Sequence, residues 1–162
     1  LTNNDFNSVL DFNLFKTVQS LYYWGLGNYD QSVSLKIERR IQTGIGVGYN
    51  LINKENLVLT LSNGLLYEKS KLYDLPENEI IRNSFRAKFR FVYNNMIVLD
   101  GTNFLQNSLE WEKDYIIKSM TSLSFKLTRI LSLTSSVNYN KLNLTGQETI
   151  LVNFGLSLDT YF

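Results

Sequence analysis

The stretch that decides the fold is residues 149–162, which read T-I-L-V-N-F-G-L-S-L-D-T-Y-F. Apolar side chains alternate along it with mostly small polar ones. One face of an extended chain would therefore be apolar, and it carries Ile150, Val152, Phe154, Leu156, Leu158 and Phe162. A full strand with this period and a terminal Phe is typical of the last strand of a transmembrane β-barrel, in which one face meets lipid.

The same alternation recurs upstream and predicts eight more strands, at residues 6–15, 21–29, 35–49, 57–67, 81–93, 96–106, 115–127 and 131–139. Most have about 9–13 residues, enough to cross a hydrocarbon core when tilted. Strands of soluble sandwiches are usually about five or six residues long. We therefore predict an all-β fold, one antiparallel transmembrane outer-membrane β-barrel domain over residues 1–162. A soluble β-sandwich is the less favoured alternative.

The composition narrows the possible classes of protein. The formal charge of +1 gives no net field that would attract nucleic acid. The chain has no Cys and no His, which removes thiol chemistry, zinc sites and Ser-His or Asp-His catalysis. No run of about 18 apolar residues exists, so a transmembrane helix is excluded. We therefore expect a protein without enzymatic activity or cofactors.

Connection lengths and aromatic residues predict the orientation in the membrane. The longer connections, at residues 30–34, 69–80, 107–114 and 140–148, are expected outside the cell, and the C-terminus in the periplasm of a Gram-negative bacterium. Aromatic residues of the apolar face should form a girdle at each interface, and these are Tyr49, Tyr93 and Phe162 on the periplasmic side and Tyr67, Tyr115 and Tyr139 outside. Arg39 shares this face and could reach anionic headgroups.

The turn after Tyr93 allows a specific register prediction. A three-residue turn over residues 94–96 pairs Phe91 with Leu99 on the outside and Arg90 with Asp100 on the inside. A two-residue turn would instead place Asp100 toward lipid, which costs kilocalories. Asn tolerates the left-handed backbone that the three-residue turn needs, so we predict that register.

Charged residues on the polar face are the main functional candidates. As lumen-lining residues we predict Lys36, Glu38, Arg40, Glu68, Arg82, Arg86, Lys88, Arg90, Asp100, Lys118, Lys126 and Asp159. Rings of Arg and Lys favour anions in pores, so one interpretation is a narrow anion-favouring lumen. The other interpretation is an interior filled by ion pairs, as in small barrels with packed interiors.

Glycines form a second pattern on the polar face. Gly44, Gly46 and Gly48 alternate along one predicted strand, next to Gly25 and Gly27 on the preceding one. A dinucleotide-binding loop would need a helix that starts at the glycines, and none follows. We therefore predict that this bare wall serves bending or close packing rather than ligand binding.

Nine strands are an odd number, whereas bacterial single-chain barrels have even numbers. We therefore expect at least one further strand before Leu1, and about 10–12 strands in the full protein.

Three segments carry a family resemblance. They are Tyr22-Tyr23-Trp24-Gly25, then Gly44-Ile45-Gly46-Val47-Gly48-Tyr49-Asn50-Leu51-Ile52, and Leu59-Thr60-Leu61-Ser62-Asn63-Gly64. With the aromatic ending, they resemble the outer-membrane barrels of unknown function that are often called salt-induced outer-membrane proteins. The resemblance implies fold and location but no catalytic residue and no ligand.

Two functions stay open. One is a structural or narrow anion-favouring barrel, and the other is an accessory barrel that docks on a larger outer-membrane complex. Expected partners are outer-membrane lipid and lipopolysaccharide, and the barrel-assembly machinery during insertion. The assembly signal is expected at the C-terminus, in Phe154, Leu156, Leu158, Tyr161 and Phe162.

Overall fold

Nine strands form one antiparallel sheet in sequence order in the computed structural model, which describes residues 5–15, 20–128 and 130–158. The strands are β1 (Phe6–Phe15), β2 (Leu21–Ser32), β3 (Ile37–Lys54), β4 (Leu57–Leu72), β5 (Asn78–Tyr93), β6 (Ile97–Ser108), β7 (Tyr115–Lys126), β8 (Leu131–Leu142) and β9 (Gln147–Leu158). The all-β prediction with nine antiparallel strands is confirmed. The sheet is open, since β1 and β9 are its two edges.

Four connections lie at one end of the sheet, which we call the loop end: residues 33–36, 73–77, 109–114 and 143–146. The opposite, hairpin end carries the turns at residues 55–56 and 94–96. Residues 69–80 were predicted as one long loop, but most of them belong to β4 and β5. The charges of Lys69 and Lys71 suggested a loop, whereas the alternate residues Ser70 and Leu72 are buried and continue the strand period.

The outward face of the sheet is broadly apolar and exposed. Many of its large apolar side chains are 39–77% exposed, among them Ile41, Ile45, Val47, Leu65, Ile81, Phe85, Phe91, Ile150, Val152, Phe154, Leu156 and Leu158. On the inward face, many polar and charged side chains are buried instead, among them Arg40, Glu68 and Arg82. A large exposed apolar surface marks contact with a membrane or with another protein. No helix in the described ranges is long and apolar enough to cross a bilayer.

A β-bulge corrects the prediction at the start of β3. Ile37 pairs with Leu72 and Arg39 with Lys71, so Glu38 is the extra residue. Such a bulge shifts the alternation by one position. Ile37 was predicted to face outward, but it is fully buried, and Glu38 contacts Lys71 at 2.9 Å instead of lining the interior.

Leu35 and Lys36 also differ from the prediction, because they lie in the connection between β2 and β3 rather than in a strand. Leu35 was assigned to the outward face and is buried. Lys36 was assigned to the lumen and is exposed, with a left-handed backbone at φ 57°. Neither Lys36 nor Glu38 is therefore an interior residue.

The register of the hairpin between β5 and β6 is as predicted. Phe91 pairs with Leu99, Arg90 pairs with Asp100, and Met96 N donates to Tyr93 O at 3.0 Å. The two turn asparagines are left-handed, with φ 49° at residue 94 and 53° at residue 95. The turn keeps Asp100 on the inward face.

The left-handed turn gives a testable prediction. We expect Asn95→Val to lower the free energy of unfolding by about 1–2 kcal/mol, because a β-branched residue resists positive φ. Asn95→Gly should keep or slightly raise it. Urea unfolding in detergent micelles measures both. Asn56→Val in the neighbouring turn, where φ is not positive, is the control. Equal losses at residues 56 and 95 would contradict this explanation.

Candidate functional site

Arg82 on β5 is the centre of a buried ion-pair group. Its Nε donates to Glu68 Oε2 at 2.8 Å, and its Nη2 donates to Glu68 Oε1 at 3.0 Å and to Asp114 Oδ2 at 2.7 Å. The side chains of all three residues are at most 2% exposed. The two-pronged contact with Glu68 is the strong geometry for an Arg–carboxylate pair. Asp114 was predicted only as a loop residue.

A second ion-pair group crosses the interior. Asp30 on β2 accepts hydrogen bonds from the Arg40 guanidinium on β3 and from Lys118 Nζ on β7 at 3.3 Å. Because β2 and β7 are far apart in the strand order, the sheet must curl until its inward faces meet. Asp30 was also assigned to a loop, although it continues the inward alternation of Asn28.

Amide side chains join the two groups, because Asn7 Nδ2 donates to Asp30 Oδ1 at 3.2 Å and to Asn28 Oδ1 at 3.0 Å. Gln42 Nε2 donates to Glu68 Oε2 at 2.6 Å and to Gln106 Oε1 at 3.1 Å, and Asn28 Nδ2 donates to Gln42 Oε1 at 3.1 Å. We call the whole set the buried network, and it consists of Asn28, Asp30, Arg40, Gln42, Glu68, Arg82, Gln106, Asp114 and Lys118. Buried charges are tolerated only when they are paired in this way.

An apolar cluster covers the buried network at the loop end. We call it the apolar cap; it consists of Leu35, Ile37, Leu72, Ile116 and Leu142. Thr145 Oγ1, in the connection between β8 and β9, donates to Leu35 O at 3.2 Å. The cap thus joins elements from opposite sides of the curled sheet, and its side chains fill part of the interior near the loop end.

Arg86 contacts side chains from several strands in the part of the interior nearer the hairpin end. Its guanidinium lies 5.7 Å from the centre of the Trp24 ring and 5.8 Å from that of Phe104. Its Nη1 donates to Asp11 Oδ2 at 3.1 Å, and its Nε donates to Ser62 Oγ at 3.1 Å. These contacts hold the Arg86 charge among four strands.

Farther toward the hairpin end, the predicted lumen residues Lys88, Arg90 and Lys126 are exposed, and Asp100 is half-buried opposite Arg90. Asp159 lies outside the described residues.

The glycine row receives aromatic rings from β2. Tyr22 lies opposite Gly48, and a Cβ on Gly48 would come within 2.1 Å of the Tyr22 ring. A Cβ on Gly46 or on Gly64 would come within 2.5 Å of Trp24. The glycines therefore let the rings lie against the wall, and the observed packing agrees with the packing interpretation of this motif.

A cavity of about 640 Å³ lies beside the buried network. It is lined by residues from both sides of the curled sheet, including Asn28, Gln42, Arg86, Phe104, Asn138 and Thr149. Arg86 is paired with Asp11, and Lys118, also on its wall, with Asp30. The remaining wall of the cavity combines neutral polar groups with apolar side chains such as Leu26, Phe104 and Met120.

Asp5 ties the start of β1 to the loop end. Its carboxylate accepts hydrogen bonds from Val33 N at 2.8 Å and Ser34 Oγ at 2.6 Å. Partial burial raises the pKa of Asp5, but the hydrogen bonds from Ser34 and Val33 hold it below its ordinary value overall. The stabilisation is present above the ordinary carboxyl pKa and is lost as pH falls through the lowered value.

The predicted girdle residues lie near both ends of the outward face. Tyr49 and Tyr93 lie toward the hairpin end, and Tyr67 lies toward the loop end; all three are about half exposed. Tyr115 and Tyr139 are half-buried at the loop end.

On β9, the predicted assembly-signal residues Phe154, Leu156 and Leu158 are 68–77% exposed. Tyr161 and Phe162, which complete that signal, lie outside the described residues. The girdle role of the aromatic residues and the assembly role of the C-terminal residues remain predictions.

The chain resembles a known protein family, but neither the described side chains of the buried site nor that family points to a ligand. In the described part of the chain, no group of three or more Asp or Glu side chains is placed to hold a metal ion. The chain has no significant match among curated proteins or among solved structures. A family described as "Protein of unknown function, DUF481" matches residues 2–150. The chain therefore belongs to the DUF481 family, whose function is unknown.

Proposed function

We propose that this chain is a non-enzymatic, integral β-barrel domain of a Gram-negative outer membrane with an interior closed near its loop end. The exposed apolar outward face, which covers a buried polar inward face, supports the membrane assignment. The loop end is proposed to face the outside of the cell, which leaves the end of β9 on the periplasmic side. The resemblance to salt-induced outer-membrane proteins supports the same location.

The closed interior is inferred mainly from the buried network. Its guanidinium and ammonium groups already contact carboxylates, and Arg40 and Arg82 are 1% exposed. An anion-conducting pore needs cationic groups that passing ions can reach. The network and the apolar cap therefore favour an interior filled by side chains over the anion-favouring lumen.

Barrel closure is part of the proposal. Strands β1 and β9 run in the same direction, because strands alternate in direction across a nine-stranded antiparallel sheet. An odd number of further strands must therefore lie between them in an antiparallel barrel. This parity fits the expected total of about 10–12 strands.

Planar-bilayer recording tests the closed interior. We expect no stepwise conductance from wild-type protein that has inserted, with insertion verified by resistance of the reconstituted protein to protease. The triple variant Glu68→Ala, Arg82→Ala and Asp114→Ala removes the central ion pairs. If it folds, it should raise the baseline current across the bilayer. Steady anion-selective steps from the wild type would contradict the closed interior.

A second candidate function is an accessory barrel in a larger outer-membrane complex. Asn103, Ser119 and Thr121 are neighbours on the outward face of β6 and β7, and Ser119 Oγ donates to Asn103 Oδ1 at 2.6 Å. Small polar residues in a hydrocarbon layer favour contact between transmembrane proteins. Purification in mild detergent should then yield a partner that the double variant Asn103→Leu and Ser119→Ala loses. A clean wild-type monomer would count against docking.

Lipid and assembly partners are proposed for the same outward surface. The exposed apolar side chains would contact outer-membrane lipid and lipopolysaccharide, and the end of β9 would be read by the barrel-assembly machinery. Phe154, Leu156 and Leu158, three of the residues expected to carry that signal, lie at alternate positions of β9.

A further inference from the structure

Three cations lie together on the outward face at the loop end. Arg39 on β3 lies directly opposite Lys71 on β4 in the strand register, and Lys69 is the next outward residue of β4. Their side chains are 54%, 41% and 44% exposed, respectively. Tyr67, the next outward residue toward the hairpin end, is a predicted girdle residue. The three cations therefore lie just beyond the apolar surface.

Two of these cations converge on one carboxylate oxygen. Arg39 Nη2 lies 3.0 Å, and Lys69 Nζ 4.0 Å, from the same Oε1 atom of Glu77. Glu77 belongs to the connection between β4 and β5, so the anionic oxygen comes from outside the two strands. Lys69 Nζ lies closer, at 2.7 Å, to Oε1 of Glu79 on β5. Arg39 and Lys69 thus hold the Glu77 oxygen between them, while Lys69 also keeps its partner on β5.

Stability does not explain this arrangement well. Exposed ion pairs contribute only about 0–1 kcal/mol, partly because two long side chains must be ordered. An external anion could therefore replace Glu77 at little cost. Arg is also suited to phosphate, because its planar fork presents two parallel donors.

The neighbouring surface suits acyl chains. Ile41 is paired with Lys69, and Ile81 is paired with Tyr67, both on the outward face. Ile41, Leu65 and Ile81 are 45–53% exposed. A molecule with acyl chains and a phosphate could contact this apolar surface and the two cations together.

The two ends of the outward face also differ in how many charged side chains they carry, although Lys54, opposite Leu57, is one at the hairpin end. At the hairpin end, the outward residues of the ladder between β5 and β6 are Phe91, Tyr93, Ile97 and Leu99. By contrast, the ion-paired residues Arg39, Lys69 and Lys71 of the outward face lie at the loop end. An outer membrane has such an asymmetry, since only one leaflet carries lipopolysaccharide.

We propose that Arg39 and Lys69 bind a phosphate group of lipopolysaccharide in the outer leaflet, in place of the Glu77 carboxylate, while Ile41, Leu65 and Ile81 contact acyl chains. This site rests on the proposed outer-membrane function. Phosphate is also present in glycerophospholipids, so the test must separate the two lipid classes.

The test compares lipid retention by variants of the whole chain. Wild type, Arg39→Gln/Lys69→Gln and Glu77→Gln are each incubated with lipopolysaccharide or with phosphatidylglycerol in mixed micelles, and bound lipid is measured by mass spectrometry after purification. Lys54→Gln/Lys126→Gln, which removes two exposed charges at the hairpin end, is the matched control.

We expect the wild type and the control to retain lipopolysaccharide, and the Arg39/Lys69 double variant to bind it at least about tenfold more weakly. Glu77→Gln should increase retention, because it removes the carboxylate that the phosphate would replace and leaves only Glu79 beside Lys69. This variant still tests the proposal if the double variant does not fold. Unchanged retention in both test variants, or equal retention of phosphatidylglycerol, overturns the proposal. Failure of the wild type to insert into bilayers would instead overturn the proposed function.

Discussion

Arg82→Met is expected to lower the free energy of unfolding by about 3–5 kcal/mol, the usual cost of removing one partner from a buried ion pair. Arg82 contacts both Glu68 and Asp114, and those side chains are 2% and 0% exposed. Without the guanidinium, two carboxylates would remain in the interior without their cation. They would have to bind protons or draw in water.

Two companion variants separate charge from packing. Arg82→Met combined with Glu68→Gln and Asp114→Asn should recover part of the loss, because neutral amides cost less to bury than unpaired carboxylates. Arg90→Met, at an exposed position of the same strand, should change stability by less than about 0.5 kcal/mol. Urea unfolding in detergent measures all three. Equal losses for Arg82→Met and Arg90→Met would show that the network is not a stabilising centre.

Tyr22→Ala is expected to have a similarly large effect, about 3–5 kcal/mol, because it removes a buried ring. Gly48→Ala alone should cost about 1–3 kcal/mol, since its Cβ would meet the Tyr22 ring. In the Tyr22→Ala background, the same change should cost little, because the ring is gone and Ala suits a strand better than Gly.

A double-mutant cycle on Tyr22 and Gly48 therefore measures the packing directly. We expect a favourable coupling of about 1–3 kcal/mol between the ring and the absent Cβ. Gly155→Ala is the control, since a Cβ there meets nothing within 4 Å. Additive effects at residues 22 and 48 would mean that the ring and the glycine do not depend on each other.

Period-two alternation predicted that the nine strands exist, and turn geometry together with the cost of burying a charge predicted one register. Phe6–Phe15 was predicted with both of its bounds, and Asp100 was placed opposite Arg90 by the cost of burying its charge in lipid. These predictions succeeded because neighbouring strands of an antiparallel sheet follow local rules of alternation and turn geometry.

The errors have physical causes as well. The bulge at Glu38 is a single insertion that leaves no signal in the alternation, so Ile37 was placed on the wrong face. Strand ends rich in charge, as at Lys69 and Lys71, look like loops because both compositions are polar.

The candidate site could be predicted only in part. Arg40, Glu68, Arg82 and Lys118 were assigned to the interior by alternation. Their partners Asp30 and Asp114 were missed because both were assigned to loops, although Asp30 lies directly opposite Arg40 on the neighbouring strand. Only the contact between Lys118 and Asp30 depends on the curl of the sheet.

Oxygen and nickel accessibility of spin labels on β5 tests whether the apolar face meets lipid. The chain has no native Cys, so Cys introduced singly at each position from 84 to 89 is the only thiol to be labelled. In reconstituted bilayers, labels at Phe85, Ala87 and Phe89 should collide mainly with lipid-soluble oxygen, and labels at Ser84, Arg86 and Lys88 should not. Collision with a water-soluble nickel complex at all of the outward positions would contradict a transmembrane strand.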